Sequence, residues 1–362
     1  MRFVSPALKH VVYPAMAGMG WLRRSAPHGV SVVTYHGVQP EGYVPIDAAL
    51  DGNLVTADNL RRQLRLLKSN YDVITPADFR ASLSNAIKLP PRAVLLTCDD
   101  GLLNNLTDML SVLQAEQVRC IFFVTGASAG ESPSMLWYER LLLALLRAPA
   151  GKFRFAAANV TIEGELTAVR ERRSQWWSIV QRLSSQDAAV RDAFLDALRQ
   201  TSPDALTAVD RVGSAPMQRR FHLLTRQQLL ELQRSGMTIG AHTMTHPILS
   251  RQSLQLARQE ITQSRAALEQ VLSQRVWALA YPFGDSSAVD SQTVALAGEA
   301  GFEVAFLNYG GGFSGTFDHF AVPRVHVTAT MGLAEFEAHV AGFHNFLQRR
   351  AGRPGMPVAA AG

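Results

Sequence analysis

Ala93-Val94-Leu95-Leu96-Thr97-Cys98-Asp99-Asp100-Gly101 is the stretch on which the fold reading turns. Its unbroken apolar start suits a strand buried on both faces, as in a parallel sheet covered by helices. Two adjacent carboxylates follow. Strand side chains alternate between faces, so Asp99 and Asp100 reach one site only where the strand ends and the backbone turns. Gly101 permits that turn. Strand ends of this kind are where sites form in parallel sheets and barrels. Alone, the same residues also suit an Asp-Gly turn with helix-capping carboxylates.

Working outward, apolar β-branched runs alternate with helical patterns, which predicts a parallel α/β architecture. The expected strands are Val30–Tyr35, Asp72–Thr75, Ala93–Thr97, Arg119–Val124, Met237–Ala241, Val276–Ala280, Glu303–Leu307 and Phe320–Val327. Thr75-Pro76-Ala77-Asp78 sets a cap, a first-turn proline and an acid in order. Thr225 and Gln228 read as a capping box. Leu254, Ala257, Ile261, Leu268 and Val271 form one face of a long helix.

Between about Glu131 and Phe221 this rhythm stops. Two amphipathic patterns, Trp137–Leu146 and Trp176–Leu183, flank a β-like stretch, Lys152–Ile162. The expected organisation is a basic extension (1–29), a barrel (30–350) carrying a mostly helical insertion (131–220), and a disordered tail (351–362). Trp137, Tyr138, Trp176 and Trp177 either form the insertion's own core or meet a sugar or lipid.

A composition of 47% hydrophobic and 18% charged residues excludes a disordered chain. Cys98 and Cys120, the only cysteines, sit in apolar runs, which excludes a disulfide scaffold and a Cys-based zinc site. Of the net charge of +5, residues 1–29 contribute four basic residues (Arg2, Lys9, Arg23 and Arg24) and no acid. Pro14, Gly18, Gly20 and the following arginines weaken a signal-peptide reading. Two readings stay open: a segment lying on an anionic membrane, or an extension packed on the domain. Dispersed positive charge gives no support for nucleic-acid binding.

The second chemical signal is Gly240-Ala241-His242-Thr243-Met244-Thr245-His246-Pro247. Two imidazoles four residues apart face one point if the chain turns into a helix, and with a carboxylate they make a ligand set that leaves coordination positions open. A third piece, Ala280-Tyr281-Pro282-Phe283-Gly284-Asp285, could present a backbone N–H to an oxyanion.

Thr97–Gly101, His242–Pro247 and Ala280–Gly284 in this order resemble the first three motifs of the polysaccharide deacetylase (NodB-homology, carbohydrate esterase 4) family. The resemblance covers roughly residues 30–126 and 221–343. It implies a distorted (β/α)7 barrel, Asp99 as general base, Asp100, His242 and His246 as ligands of a divalent metal, zinc first, and the Phe283 N–H as an oxyanion donor. The chain departs from the pattern at Ala280, where the family carries an arginine that orients the base, and Arg324 is a candidate substitute from a later strand. The late Leu-x-His acid motif is not evident. His36, in Tyr35-His36-Gly37, resembles an early motif of the exopolysaccharide N-deacetylase branch and is preferred over His326 as the acid.

The implied function is hydrolysis of an N-acetyl group on an amino sugar of a surface polysaccharide or lipid-linked precursor. A cytoplasmic location peripheral to the inner membrane, through residues 1–29, is expected. The rivals are a catalytically silent glycan-binding protein on the same scaffold and an amidohydrolase of a small non-sugar amide.

Overall fold

A computed structural model describes residues 6–24, 29–157, 160–201, 213–311 and 317–350. Its strands are β1 (Gly29–Tyr35), β2 (Asp72–Val73), β3 (Arg92–Cys98), β4 (Cys120–Val124), β5 (Gly151–Ala157), β6 (Val160–Leu166), β7 (Thr238–Ala241), β8 (Ala278–Ala280), β9 (Val304–Gly310) and β10 (Val322–His326). Seven of them, in the order β1-β10-β9-β8-β7-β4-β3, run parallel and close on themselves because β3 also pairs with β1. Short β2 extends the sheet beside the first half of β3. The expected (β/α)7-type barrel is thus present. Each of the eight strands read from the sequence occurs, with ends moved by no more than three residues.

Period-two alternation explains why the barrel strands are apolar throughout. Val32, Leu95, Ile121, Phe123, Ala278, Val304, Phe306 and Val322 fall in one buried cluster. Their neighbours Val33, Leu96, Phe122, Ala305 and Leu307 fall in another, which is shared with helix residues such as Leu64, Leu113, Ile261 and Leu268. The first set fills the barrel and the second joins it to its helical coat.

Helix starts follow the cap signals. The Thr75 hydroxyl accepts from the Asp78 N–H at 3.1 Å, and the Asp78 carboxylate accepts from the Thr75 N–H at 3.0 Å. Gln228 accepts from the Thr225 N–H at 2.9 Å. Leu254 departs from its expected place. It opens the helix Leu254–Leu272 just after the capping Ser253, and is 51% exposed while Ala257, Ile261 and Leu268 are buried.

Between β4 and β7 lie the helices Trp137–Arg147, Val169–Leu183, Ala188–Thr201 and Ala215–Phe221. The stretch Lys152–Ile162, read as a single β-like run, is instead most of a hairpin. β5 and β6 pair antiparallel, with Arg154 opposite Glu163. Trp137, Leu141, Phe155, Ile162, Trp176, Val180, Phe194 and Phe221 belong to a core distinct from the barrel's two clusters.

Near the start of the chain, Leu8–Arg24 is largely helical. Tyr13 and Leu22 are fully buried against Ala338 and Ala341. The Tyr13 hydroxyl pairs with His344 Nδ1 at 2.7 Å, and Lys9 meets Glu335 at 3.1 Å. The segment packs on the domain while Val11 and Met19 stay exposed. The 351–362 tail lies outside the described residues.

Phe306 fills the barrel beside Phe79 and Phe123. Phe306→Ala is expected to lower unfolding free energy by about 3–5 kcal/mol, the usual cost of emptying a packed aromatic site. Urea denaturation with an unchanged m-value checks it.

Candidate metal and catalytic site

Parallel strands deliver their C-terminal ends to one rim, and register decides which residues meet there. Tyr35 of β1 lies opposite Cys98 of β3, and the Asp99 N–H continues the ladder to the Tyr35 carbonyl at 2.9 Å. His36 and Asp99 therefore leave adjacent strands at the same level. Val124 pairs with Ala241 and Ala241 with Leu279, which brings the residues after β7 and β8 to that rim too.

Asp99 continues the inward parity of Leu95 and Thr97, and Asp100 reaches the site because the backbone turns. The turn begins one residue earlier than Gly101 alone would suggest, since Asp100 is itself left-handed (φ 76°), followed by Gly101 (φ 74°). A Cβ on Gly101 would lie 2.9 Å from the Val124 side chain, so the second position requires glycine.

His242 and His246 also converge, but not through a helix. The chain after β7 bends, with Thr243 (φ 62°) and His246 (φ 61°) left-handed. Pro247 disfavours the right-handed helical conformation at His246, and the Thr243 hydroxyl accepts from the His246 N–H at 3.1 Å. Such backbone conformations are costly for non-glycine residues and persist where the surroundings over-determine them.

The outcome is a buried triad. Asp100 Oδ1 stands 3.5 Å from His242 Nε2 and 3.3 Å from His246 Nε2, and the candidate donor atoms lie within 4.8 Å of one another. His242 Nδ1 donates to the Ala280 carbonyl at 2.7 Å, which fixes the tautomer and turns the Nε2 lone pair toward Asp100. Burial pushes the pKa of His246 down against the opposing pull of Asp100, favouring the neutral ring that a metal ligand must be. Two imidazole nitrogens and a carboxylate with aligned donors fit a divalent ion of zinc type.

Asp99, 1% exposed, is held by Arg324, itself fully buried. Nη1 donates to Oδ1 at 2.7 Å and Nη2 to Oδ2 at 2.5 Å, while Nε donates to the Leu307 carbonyl at 2.6 Å. Burial alone would raise the Asp99 pKa. The adjacent Arg324 guanidinium outweighs it and holds the carboxyl below its usual range, so it is ionised at neutral pH. Arg324 thus occupies the place next to Asp99 that Ala280 cannot fill.

Of the two candidate acids, His36 lines the pocket with Asp99, Asp100, His242 and His246. The His326 ring lies 4.9 Å from that of His36, but its nitrogens are taken by Asn308 at 2.9 Å and Asn53 at 3.0 Å. Burial, helped by His36, pushes His326 down to about 3. A neutral ring donates from one nitrogen and accepts at the other, so one of the two amides turns its NH2 toward it.

Phe283 adopts φ 59° and its ring stands 4.9 Å from that of His246. Its N–H has no acceptor among the described residues. Cys98 and Cys120 are buried and their thiols pushed well up by burial, which makes them inert wall residues.

The pocket holds about 210 Å³. The insertion supplies one wall through Tyr138, Glu139, Trp176, Trp177 and Arg220, and Tyr138 packs 5.0 Å from His246. Trp137 is a core residue, as one of the two sequence readings allows, yet its indole N–H donates to the His246 carbonyl at 3.1 Å. Arg191, through the Thr245 hydroxyl, and Glu260, accepting from the Thr245 N–H at 2.8 Å, brace the same loop. Sequence reasoning missed Asn53, Asn308, Glu139, Arg191, Arg220 and Glu260. None belongs to a motif, and only the fold brings them together.

A family model described as polysaccharide deacetylase matches residues 86–141 and 187–305. The interruption falls on the hairpin and its flanking helical residues. YxkH of Bacillus subtilis (strain 168), itself only provisionally named a polysaccharide deacetylase, is 25% identical over 119 residues, 33% of this chain and 42% of that protein. The chain therefore aligns with less than half of this curated relative. Among solved structures, the Streptococcus pyogenes deacetylase PplD in complex with acetate superposes with a TM-score of 0.54 at 17% identity, over 87% of this chain and 99% of that one. IcaB from Ammonifex degensii gives 0.54 at 17% identity, over 87% and 97%. A de-N-acetylase from Aggregatibacter actinomycetemcomitans gives 0.52 at 13%, over 86% and 99%. At these identities the structures establish a shared fold.

Arg324→Met should leave the Asp99 carboxylate buried without its partner. The expected loss is about 3–5 kcal/mol of stability at neutral pH, measured by urea denaturation. A double variant, Asp99→Asn with Arg324→Met, should recover part of it.

Proposed function

We propose that the chain is a polysaccharide deacetylase, as the family match over residues 86–141 and 187–305 supports, and that it removes the N-acetyl group from an amino sugar of a surface polysaccharide or lipid-linked glycan precursor. The observation that carries the reading is the Asp100–His242–His246 triad beside an ionised, arginine-held Asp99 in one pocket. Asp100, His242 and His246 would hold a divalent metal, zinc first on its donor set. Bound there, it supplies Lewis acidity toward the acetamide carbonyl and a water of lowered pKa.

The chain's own groups do the rest. Asp99 takes the proton of the attacking water, using a lone pair that Arg324 leaves free. Arg324 keeps that carboxylate charged and oriented. The Phe283 N–H donates to the oxyanion as the carbonyl becomes tetrahedral. His36 gives a proton to the departing amine, and the insertion wall limits water around the bond.

Purified protein should hold about one zinc or similar ion per chain, and Asp100→Ala and His242→Ala should lose it. His36→Ala should keep the metal while acetate release from N-acetyl amino-sugar oligomers drops by about 10²–10⁴. Absence of metal after zinc loading would overturn the mechanism and favour a silent glycan-binding protein. Full activity in His36→Ala with loss in His326→Ala would reassign the acid.

We also propose a cytoplasmic location on the inner membrane surface, through residues 1–29. Support comes from the exposed apolar residues of this segment, Val11 (64% exposed), Met19 (62%) and Trp21 (39%), together with Arg23 and Arg24 at the end of the helix Trp21–Arg24. No helix among the described residues is long and apolar enough to cross a membrane. Cosedimentation with vesicles containing anionic lipid should occur at low salt and fail at about 0.5 M salt, where charge attraction is screened. Protein that remains in the supernatant at low salt would sink the proposal.

A further inference from the structure

Arg220 lies in the last turn of the helix Ala215–Phe221 and is 1% exposed. Its Nε donates to Asp51 Oδ1 at 2.8 Å. Its Nη2 donates to Glu139 Oε1 at 2.8 Å and to the Leu50 carbonyl at 2.6 Å. This side-on arrangement leaves two buried atoms without a partner among the described residues, Nη1 of Arg220 and Oε2 of Glu139. A buried polar atom left unpaired costs about 1–3 kcal/mol, more when charged. Both residues line the pocket that contains the Asp100–His242–His246 triad.

The geometry points to a carbohydrate subsite on the insertion wall, in which Glu139 and Arg220 pair with hydroxyls of a neutral sugar ring and Trp177 stacks against the ring. The inference rests on the deacetylase reading and deepens it, because it assigns recognition of the sugar to residues outside the chemical motifs. Three features select this ligand chemistry. The ion pair leaves one acceptor, Oε2 of Glu139, and one donor, Nη1 of Arg220, unpartnered in residues that line the pocket, and neighbouring hydroxyls on a pyranose offer the complement. The cluster sets two carboxylates, Asp51 and Glu139, against one guanidinium, which disfavours an anionic ligand. Burial, only partly opposed by Arg220, raises the Glu139 pKa to about 7. A hydroxyl both donates and accepts, so it pairs with this carboxyl whether or not it carries its proton.

The aromatic side completes the match. Trp177 is 37% exposed, lines the same pocket and has its ring 5.7 Å from that of Phe283. Trp176, beside it, is committed to the insertion core and donates to the Tyr138 carbonyl at 2.7 Å. Of the two adjacent indoles, only Trp177 keeps substantial exposure for a ligand.

The test is calorimetric titration of the zinc-loaded full chain with a neutral N-acetylglucosamine oligomer and, separately, with acetate. Acetate carries the carboxylate of the product but no hydroxyls. Glu139→Gln keeps the size of the side chain, and Trp177→Ala alters a partly exposed residue. Each should weaken oligomer binding by about tenfold or more, the worth of one charge-assisted contact, with acetate affinity and zinc content unchanged. Unchanged oligomer affinity in both variants overturns the subsite. So does an equal loss for oligomer and acetate, which would mark the residues as structural supports. Tighter binding of a uronate-containing oligomer than of the neutral one would also overturn it. Wild-type protein that binds the oligomer in this variant-sensitive way yet releases no acetate from it would refute the deacetylase reading and leave the subsite standing.

Discussion

A carboxylate and a guanidinium face each other inside the barrel, and much of the site depends on that meeting. Removing two charges from water costs several kcal/mol per ion, and their attraction offsets this only with full hydrogen bonding. Asp99 and Arg324 meet the condition. Every guanidinium nitrogen has an acceptor, from Asp99, Thr97 or the Leu307 carbonyl, and the Phe123 and Phe306 rings flank the cation. A packed apolar pair could be as stable. What the ion pair adds is position, because it holds the proposed base, Asp99, charged one residue before Asp100 of the candidate metal triad.

The barrel was legible in the sequence because each strand is a short apolar run and each chemical residue sits at a strand end. Asp99, Asp100, His242 and His246 could be read for that reason. The mode of convergence was less legible. Histidines four apart suggested a helix, whereas two left-handed residues and Pro247 produce a bent loop with the same result. Arg324 could be named only as a substitute for the absent arginine at position 280, since nothing local says that a residue in β10 reaches the end of β3. The hairpin of the insertion was hidden for another reason. Its two strands follow each other so closely that a window along the chain merges them into one run.

The insertion does more than cover the barrel. Trp137 and Arg191 hold the backbone and side chains of the loop that carries His246, so the histidine's position depends on residues outside the motifs. Tyr138 and Phe283 pack on the same imidazole. The geometry of the candidate metal triad and the pocket wall are consequently one packed unit, and changes in the insertion core should be felt at the histidines.

The Asp99–Arg324 pair also spans 225 positions along the chain. As the polypeptide leaves the ribosome, β3 and β4 can form long before β10 exists, and Asp99 must wait for its counter-ion. Until then the barrel has an open side at β1, which can already pair with β3 but must wait for β10 on its other edge. Contacts this distant slow folding and leave strand edges exposed meanwhile. The ion pair that fixes Asp99 in the finished protein thus makes the last strand a gatekeeper of assembly, with closure of the barrel and pairing of the buried carboxylate arriving together.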